Sequence, residues 1–209
     1  MRAFFLRAAH PRLSTLACAP DTGRAVSPIE AVATLLGLAN VALVVRRSLW
    51  NYPFALGMVT LYAWIFLEAR LYSDALLQGF YFAVNGYGWW NWQRARDAEG
   101  AVPVVLLPVR ARLLWATGAV LAAFGWGALM HRWTDAAYPW WDGTIAVLSI
   151  VAQILQSRRA WECWPLWIAV DLLAIPLFLV KGLWLTAGLY CLFLALSVWG
   201  AIDWNRARA

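Results

Sequence analysis

The chain has 209 residues, of which 63% are hydrophobic and 13% charged, and its mean hydropathy is +0.62. A soluble domain averages about 45–50% apolar and about 25% charged residues, so a single water-soluble core is excluded. The net charge of +6 is scattered through short polar segments between apolar runs, which excludes a basic nucleic-acid-binding domain.

Residues 1–26 begin basic, but Arg7 and His10-Pro11 interrupt the apolar stretch. They leave no run of about 7–15 residues to serve as the core of a cleaved signal. This segment is expected to be a mobile or interfacial tail. Seven apolar runs follow, near 28–45, 52–68, 75–92, 113–130, 140–157, 162–180 and 183–202. Each has roughly the 17–21 residues that a helix needs to cross about 30 Å of hydrocarbon. The fold expected is therefore all-α and integral to a membrane, with seven transmembrane helices.

The loops fix a predicted orientation. On one side lie Arg46, Arg47, Arg94, Arg96, Arg110, Arg112, Arg158, Arg159, Arg206 and Arg208; on the other lie Arg70, Arg132 and Lys181, with Arg2, Arg7, Arg12 and Arg24 in the tail. By the positive-inside rule the first group is cytoplasmic, which puts the N-terminus outside and the C-terminus inside.

Residues 30–94 match residues 142–206 at a constant shift of 112 without a gap: Arg46-Arg47 fall on Arg158-Arg159, Pro53 on Pro165, Gly88 on Gly200, Trp92 on Trp204 and Arg94 on Arg206. One apolar run separates the copies, so if each crosses the membrane an odd number of times they are parallel repeats, a pattern found in transporters. The predicted organisation is a tail (1–26), a first three-helix repeat (27–94), a loop and linking helix (95–139) and a second three-helix repeat (140–206).

Candidate site residues sit inside two of the runs. Trp161, Trp164 and Trp167 follow at spacings of three, and four further on comes Asp171, near midspan. An acid there costs about 2.5–3.5 kcal/mol on insertion scales and turns to the bundle interior or a wet cavity. Gln78, Tyr81, Asn85 and Trp89 form a second stripe, with Asn85 near midspan. The bland readings are interhelical hydrogen bonds for the polar groups and, for Trp89, Trp90, Trp92, Trp140, Trp141 and Trp204 at the run ends, an aromatic belt. The shift of 112 takes Gln78 to Tyr190, Asn85 to Ser197 and Asp171 to Val59. The duplicated Pro, Gly and Arg residues would serve the scaffold, and the unduplicated polar ones an asymmetric ligand between the halves. Cys18, Cys163 and Cys191 form no CxxC, and no HExxH, GxSxG or glycine-rich phosphate loop occurs. No catalytic residue, metal or cofactor is expected.

Ser27-Pro-Ile-Glu30-Ala-Val, Trp50-Asn-Tyr-Pro53, Leu71-Tyr72, Leu77-Gln78 and Asn85-Gly-Tyr-Gly-Trp89, followed by Tyr138-Pro-Trp-Trp-Asp142, Leu148-Ser-Ile-Val-Ala152, Glu162-Cys-Trp-Pro-Leu-Trp167 and Leu185-Thr-Ala-Gly-Leu-Tyr190, together resemble the PnuC family of bacterial nicotinamide riboside transporters over about 27–206. The resemblance implies a SWEET-like 3+1+3 arrangement in the bacterial inner membrane, a homotrimer, and facilitated diffusion of a vitamin nucleoside that cytoplasmic phosphorylation then traps. It implies stacking walls at Trp164 and Trp167, with Gln78 and Asn85 reading the amide or ribose; Trp161, Tyr81 and Tyr190 complete the candidate substrate-binding set. A pyridinium cation suits indole faces, and Asp171 suits either that cation or the thiazolium of thiamine. Thiamine or riboflavin carriage, a channel, proton coupling through Asp171 or Glu162, and a membrane enzyme are the alternatives.

Overall fold

The computed structural model describes residues 28–68, 72–133 and 138–207. The tail 1–26 and Arg70 lie outside the described residues. Seven helices run in order: α1 (Pro28–Val45), α2 (Asn51–Glu68), α3 (Tyr72–Glu99), α4 (Val109–Trp133), α5 (Pro139–Ser157), α6 (Cys163–Val180) and α7 (Trp184–Arg206). All seven apolar runs are helices, and α4, α6 and α7 are each long and apolar enough to span a membrane on their own composition. Helices α3, α4 and α7 run past the apolar stretches, α3 through Gln93-Arg-Ala-Arg-Asp-Ala-Glu99. Hydropathy marks the hydrocarbon slab, whereas backbone hydrogen bonding continues a helix into water.

The duplicated arginines end α1 and α5 in one manner. Arg47 and Arg159 have φ of 52° and 64°, the left-handed conformation that closes a helix. The Arg47 amide donates to the Val44 carbonyl at 2.9 Å and the Ser48 amide to Leu43 at 3.0 Å; Arg159 donates to Gln156 at 2.9 Å and Ala160 to Leu155 at 3.0 Å. These are two copies of one Schellman cap. Pro53 and Pro165 then each stand at the third position of the following helix, α2 and α6, where the missing N–H is one that a first turn leaves unbonded anyway.

Helices α1, α2 and α3 pack in sequence, as do α5, α6 and α7, while α4 packs on α5. The two sets meet through α1 against α7 and α3 against α5, pairs that exchange under the shift of 112. The seat of α4 is a glycine contact: a Cβ on Gly127 would run into the Trp140 ring, and one on Gly143 would come within 3.4 Å of the Gly127 backbone.

Trp92 and Trp204, expected in an interfacial belt, are instead fully buried. The Trp92 indole donates to the Gln156 carbonyl at 3.1 Å, and the Trp204 indole to the Val44 and Val45 carbonyls at 3.2 Å. Each half thus satisfies the open carbonyls at the end of the other half's first helix. Around this pair the motif repeats: Tyr52 packs on Gly88 and meets Trp92 edge-on at 5.4 Å, and Trp164 packs on Gly200 and meets Trp204 edge-on at 5.4 Å. The rings of Trp92 and Trp204 lie 5.7 Å apart. A side chain at either glycine would occupy the ring's place, which gives the duplicated glycines their physical reason.

Candidate functional site

The candidate site is built from α3, α5, α6 and α7. Gln78, Tyr81 and Asn85 on α3 are buried, as the stripe predicts. Asn85 Nδ2 donates to the Tyr81 carbonyl at 2.8 Å, and Asn85 Oδ1 accepts from Gln153 Nε2 on α5 at 3.2 Å. This is a contact between the two halves. On α6, Trp164, Trp167 and Asp171 are buried along one face with Val170 and Ala174. Trp167 Nε1 donates to Gln156 Oε1 at 2.8 Å, and Asp171 Oδ2 accepts from Ser197 Oγ on α7 at 3.1 Å.

These contacts define a layer. Helices α5 and α6 run antiparallel from a short turn, and Trp167 bonds Gln156. One turn deeper, Gln153 comes level with residues 170–171 of α6. Asp171 is then about 12 Å along α6 from its start, at 1.5 Å per residue, which is near the middle of an 18-residue helix. Asn85 and Ser197 are equivalent under the shift of 112. Asn85 with Gln153, and Ser197 with Asp171, therefore furnish one polar layer at midspan.

Among the described residues, the buried polar atoms without a hydrogen-bond partner include these three: Gln153 Oε1 in the layer, Asn40 Oδ1 on α1, and Trp164 Nε1 nearer the arginine-rich end. Leaving such a group unsatisfied costs about 1–3 kcal/mol, so each is a place for a polar guest. Two are acceptors and one is a donor, a set that matches a carboxamide and hydroxyls. Asp171 and Ser197 supply the only carboxylate–hydroxyl pair among the described residues buried at this depth.

Not every expected residue joins the layer. Trp161 precedes α6, which begins at Cys163, so it lies in the turn and not on the helical stripe; its indole donates to the Ala201 carbonyl at 2.9 Å. Tyr190 packs between Phe178 and Phe193, with ring centroids 5.1 and 5.9 Å away. Tyr81 lies with Val59, Tyr62 and Phe66 in the smaller apolar cluster of the first half. Trp164 has its ring on Gly200 and Trp204, with only its N–H edge unspent. Glu162, the alternative proton relay, is at the arginine-rich end, where its Oε1 accepts from Arg112 Nε at 2.7 Å and the Leu107 amide at 3.2 Å. It is an anchor for the linker. Sequence reasoning missed Gln153, Gln156 and Asn40; two amides three residues apart in the apolar run of α5 were the available signal.

Residues 27–206 match the family model described as nicotinamide mononucleotide transporter. The chain is 32% identical to the nicotinamide riboside transporter PnuC of Escherichia coli (strain K12), over 89% of each protein. It is 36% identical to the riboflavin/roseoflavin transporter RibM of Streptomyces davaonensis, over 84% of this chain and 83% of that one. Its fold is similar to a crystal structure of the vitamin B3 transporter PnuC, with a TM-score of 0.68 and 32% identity over 86% of this chain and 81% of the other.

Proposed function

Since this chain belongs to the nicotinamide mononucleotide transporter family, we propose that it takes up nicotinamide riboside by facilitated diffusion, as a carrier and not an enzyme. The observation that carries this reading is the polar layer at midspan, in which amides of both halves and the Asp171–Ser197 pair stand within otherwise apolar helices. Nicotinamide riboside brings a carboxamide, hydroxyls and a fixed cation. Gln78, Asn85 and Gln153 read the amide and ribose, Trp167 supplies the stacking wall, and Asp171 faces the cation. Trp164 borders the site by its N–H edge, while Trp161, Tyr81 and Tyr190 hold the surrounding helices.

The architecture in this reading is SWEET-like: three helices, the linking helix α4, and three more. The protein sits in the bacterial inner membrane with its N-terminus outside and its arginine-rich ends in the cytoplasm. Leu113, Leu114, Val120, Leu121 and Phe124 on α4 are exposed, an apolar surface suited to lipid and to neighbouring copies in a homotrimer. Cytoplasmic phosphorylation traps the nucleoside. Identity to a riboflavin/roseoflavin transporter favours riboflavin as the second reading, and that ligand has no fixed cation. Binding of nicotinamide riboside, thiamine and riboflavin to the purified protein, followed by tryptophan quenching, tests the assignment. Nicotinamide riboside binding tightest is the expected result; a clear preference for riboflavin overturns it.

A further inference from the structure

The α1–α2 and α5–α6 turns are the same turn by sequence shift and by backbone hydrogen bonding, yet among the described residues only the second is covered. There the linker between α3 and α4 pairs with it: the Val105 amide donates to the Arg159 carbonyl, and the Trp161 amide to the Val105 carbonyl, each at 2.9 Å. The Trp161 ring fills the space towards Ala201. In the first half, Leu49 stands where the second has Trp161, and neither the Arg47 carbonyl nor the Leu49 amide has a hydrogen-bond partner among the described residues. A cleft of about 390 Å³ opens here, lined by Arg47, Leu49, Trp50, Trp89, Gln93 and Arg96 among others.

The chemistry of this lining differs from that of the covered turn, where apolar Val104 and Leu107 pack on the core. Arg47, Arg96, Trp50, Trp89 and Leu49, with its unspent backbone amide, line one cleft, and Trp89, stacked by one face near Tyr52 at 6.4 Å, keeps its other face. Arg47 makes no ion pair among the described residues. Arg96 has only an exposed contact with Asp97 at 3.7 Å, which solvent weakens. Asp97 also takes the Gln93 amide, and Glu99 lines an adjoining cleft that shares Arg47. Arg46, next in sequence to Arg47, and Arg94, whose guanidinium lies over the Trp90 ring at 5.6 Å, are both exposed and add positive charge at this end. Guanidinium pairs with backbone N–H groups suit phosphate oxygens, and indole faces suit a flat ring.

We propose that this cleft is a binding site for a nucleoside monophosphate, with its phosphate held by Arg47, Arg96 and the Leu49 amide and its base against Trp50 and Trp89. Trp89 is one turn from Asn85 on the same α3 face, so the cleft lies at the arginine-rich end of the face that carries the midspan layer. The consequence rests on the nucleoside-carrier reading: the phosphorylated product of trapping occupies the cytoplasmic mouth and slows further uptake. The binding claim stands without that reading.

The test uses the full chain in nanodiscs of zwitterionic lipid, titrated calorimetrically with nicotinamide mononucleotide, adenosine monophosphate, the unphosphorylated nucleosides and inorganic phosphate. The mononucleotides are expected to bind at least tenfold more tightly than phosphate. Arg96→Gln and Trp50→Ala, at exposed positions outside the midspan layer, should each weaken them at least several-fold without changing nucleoside binding. Equal mononucleotide affinity in wild type and Arg96→Gln overturns the proposal, as does a mononucleotide that merely competes for the nucleoside site. Phosphatidylglycerol retained by the purified wild type but not by Arg96→Gln, with no mononucleotide binding in nanodiscs free of that lipid, assigns the cleft to a lipid headgroup and also overturns it. In proteoliposomes, mononucleotide sealed on the arginine-rich side should slow nucleoside uptake in wild type more than in Arg96→Gln. A protein that binds mononucleotide but moves no nucleoside would retain the site and lose only the carrier reading.

Discussion

Trp167 and Trp164 are neighbours on one face of α6, yet they are held in different ways. Trp167 spends its N–H on Gln156 and borders the polar layer, whereas Trp164 is seated on Gly200 and Trp204. Trp167→Ala should weaken binding of nicotinamide riboside by about 1–2 kcal/mol, the range of a cation–π contact, and Trp167→Phe should lose less because a ring face remains. Titration of each purified variant measures both, and an unchanged affinity in the alanine variant removes Trp167 from the site. Substitution of Asp171 should separate the vitamins. Its replacement by Asn keeps size and hydrogen-bonding capacity but removes the charge, so a permanently cationic ligand should bind more weakly and neutral riboflavin almost unchanged. Nicotinamide riboside bound equally well by Asp171→Asn would show that the carboxylate is no counter-ion.

Between helices, the governing contacts are rings on glycines. Gly200→Ala should lower the melting temperature by overpacking Trp164, at a cost of about 1–3 kcal/mol, and Trp164→Leu should relieve part of that cost when the two are combined. A thermal-shift series on the single and double variants measures it; strict additivity would deny the contact. The turns offer a stabilising change. Arg159 holds a left-handed φ of 64°, which disfavours a side chain by about 1–2 kcal/mol, so Arg159→Gly should raise the melting temperature. Much of this element-level structure was legible beforehand: seven apolar runs of spanning length gave seven helices, and the Arg-Arg, Pro and Gly matches mark the same caps, first turns and ring contacts twice. What was not legible was partnership across the halves. A tryptophan at a run end has two physical outlets, the headgroup layer or the open carbonyls of another helix, and periodicity along one helix does not choose between them. Trp92 and Trp204 took the second. Gln153 and Gln156 carry no charge and sit in an apolar run, so only their contacts with Asn85 and Trp167 disclose them.

For the molecule as a whole, the polar layer holds one carboxylate, Asp171, tied to Ser197, and Glu162 is committed to the linker. Transport should therefore run downhill in either direction. Liposomes containing the protein but no kinase, under an imposed proton or sodium gradient, should equilibrate the nucleoside; accumulation above the external concentration would require a coupling ion. The reciprocal indole bonds bear on how such movement is biased. Trp92 and Trp204 fasten the halves together at the arginine-rich end, by bonds related through the duplication. Parting the halves there forfeits both at once, at about 0.5–1.5 kcal/mol each in net terms. These bonds oppose opening at the arginine-rich end, so the paired substitution Trp92→Phe with Trp204→Phe should move the balance about 5- to 150-fold towards the form open at that end, with each single substitution moving it about half as far on a logarithmic scale; accessibility of that end to a labelling reagent measures it.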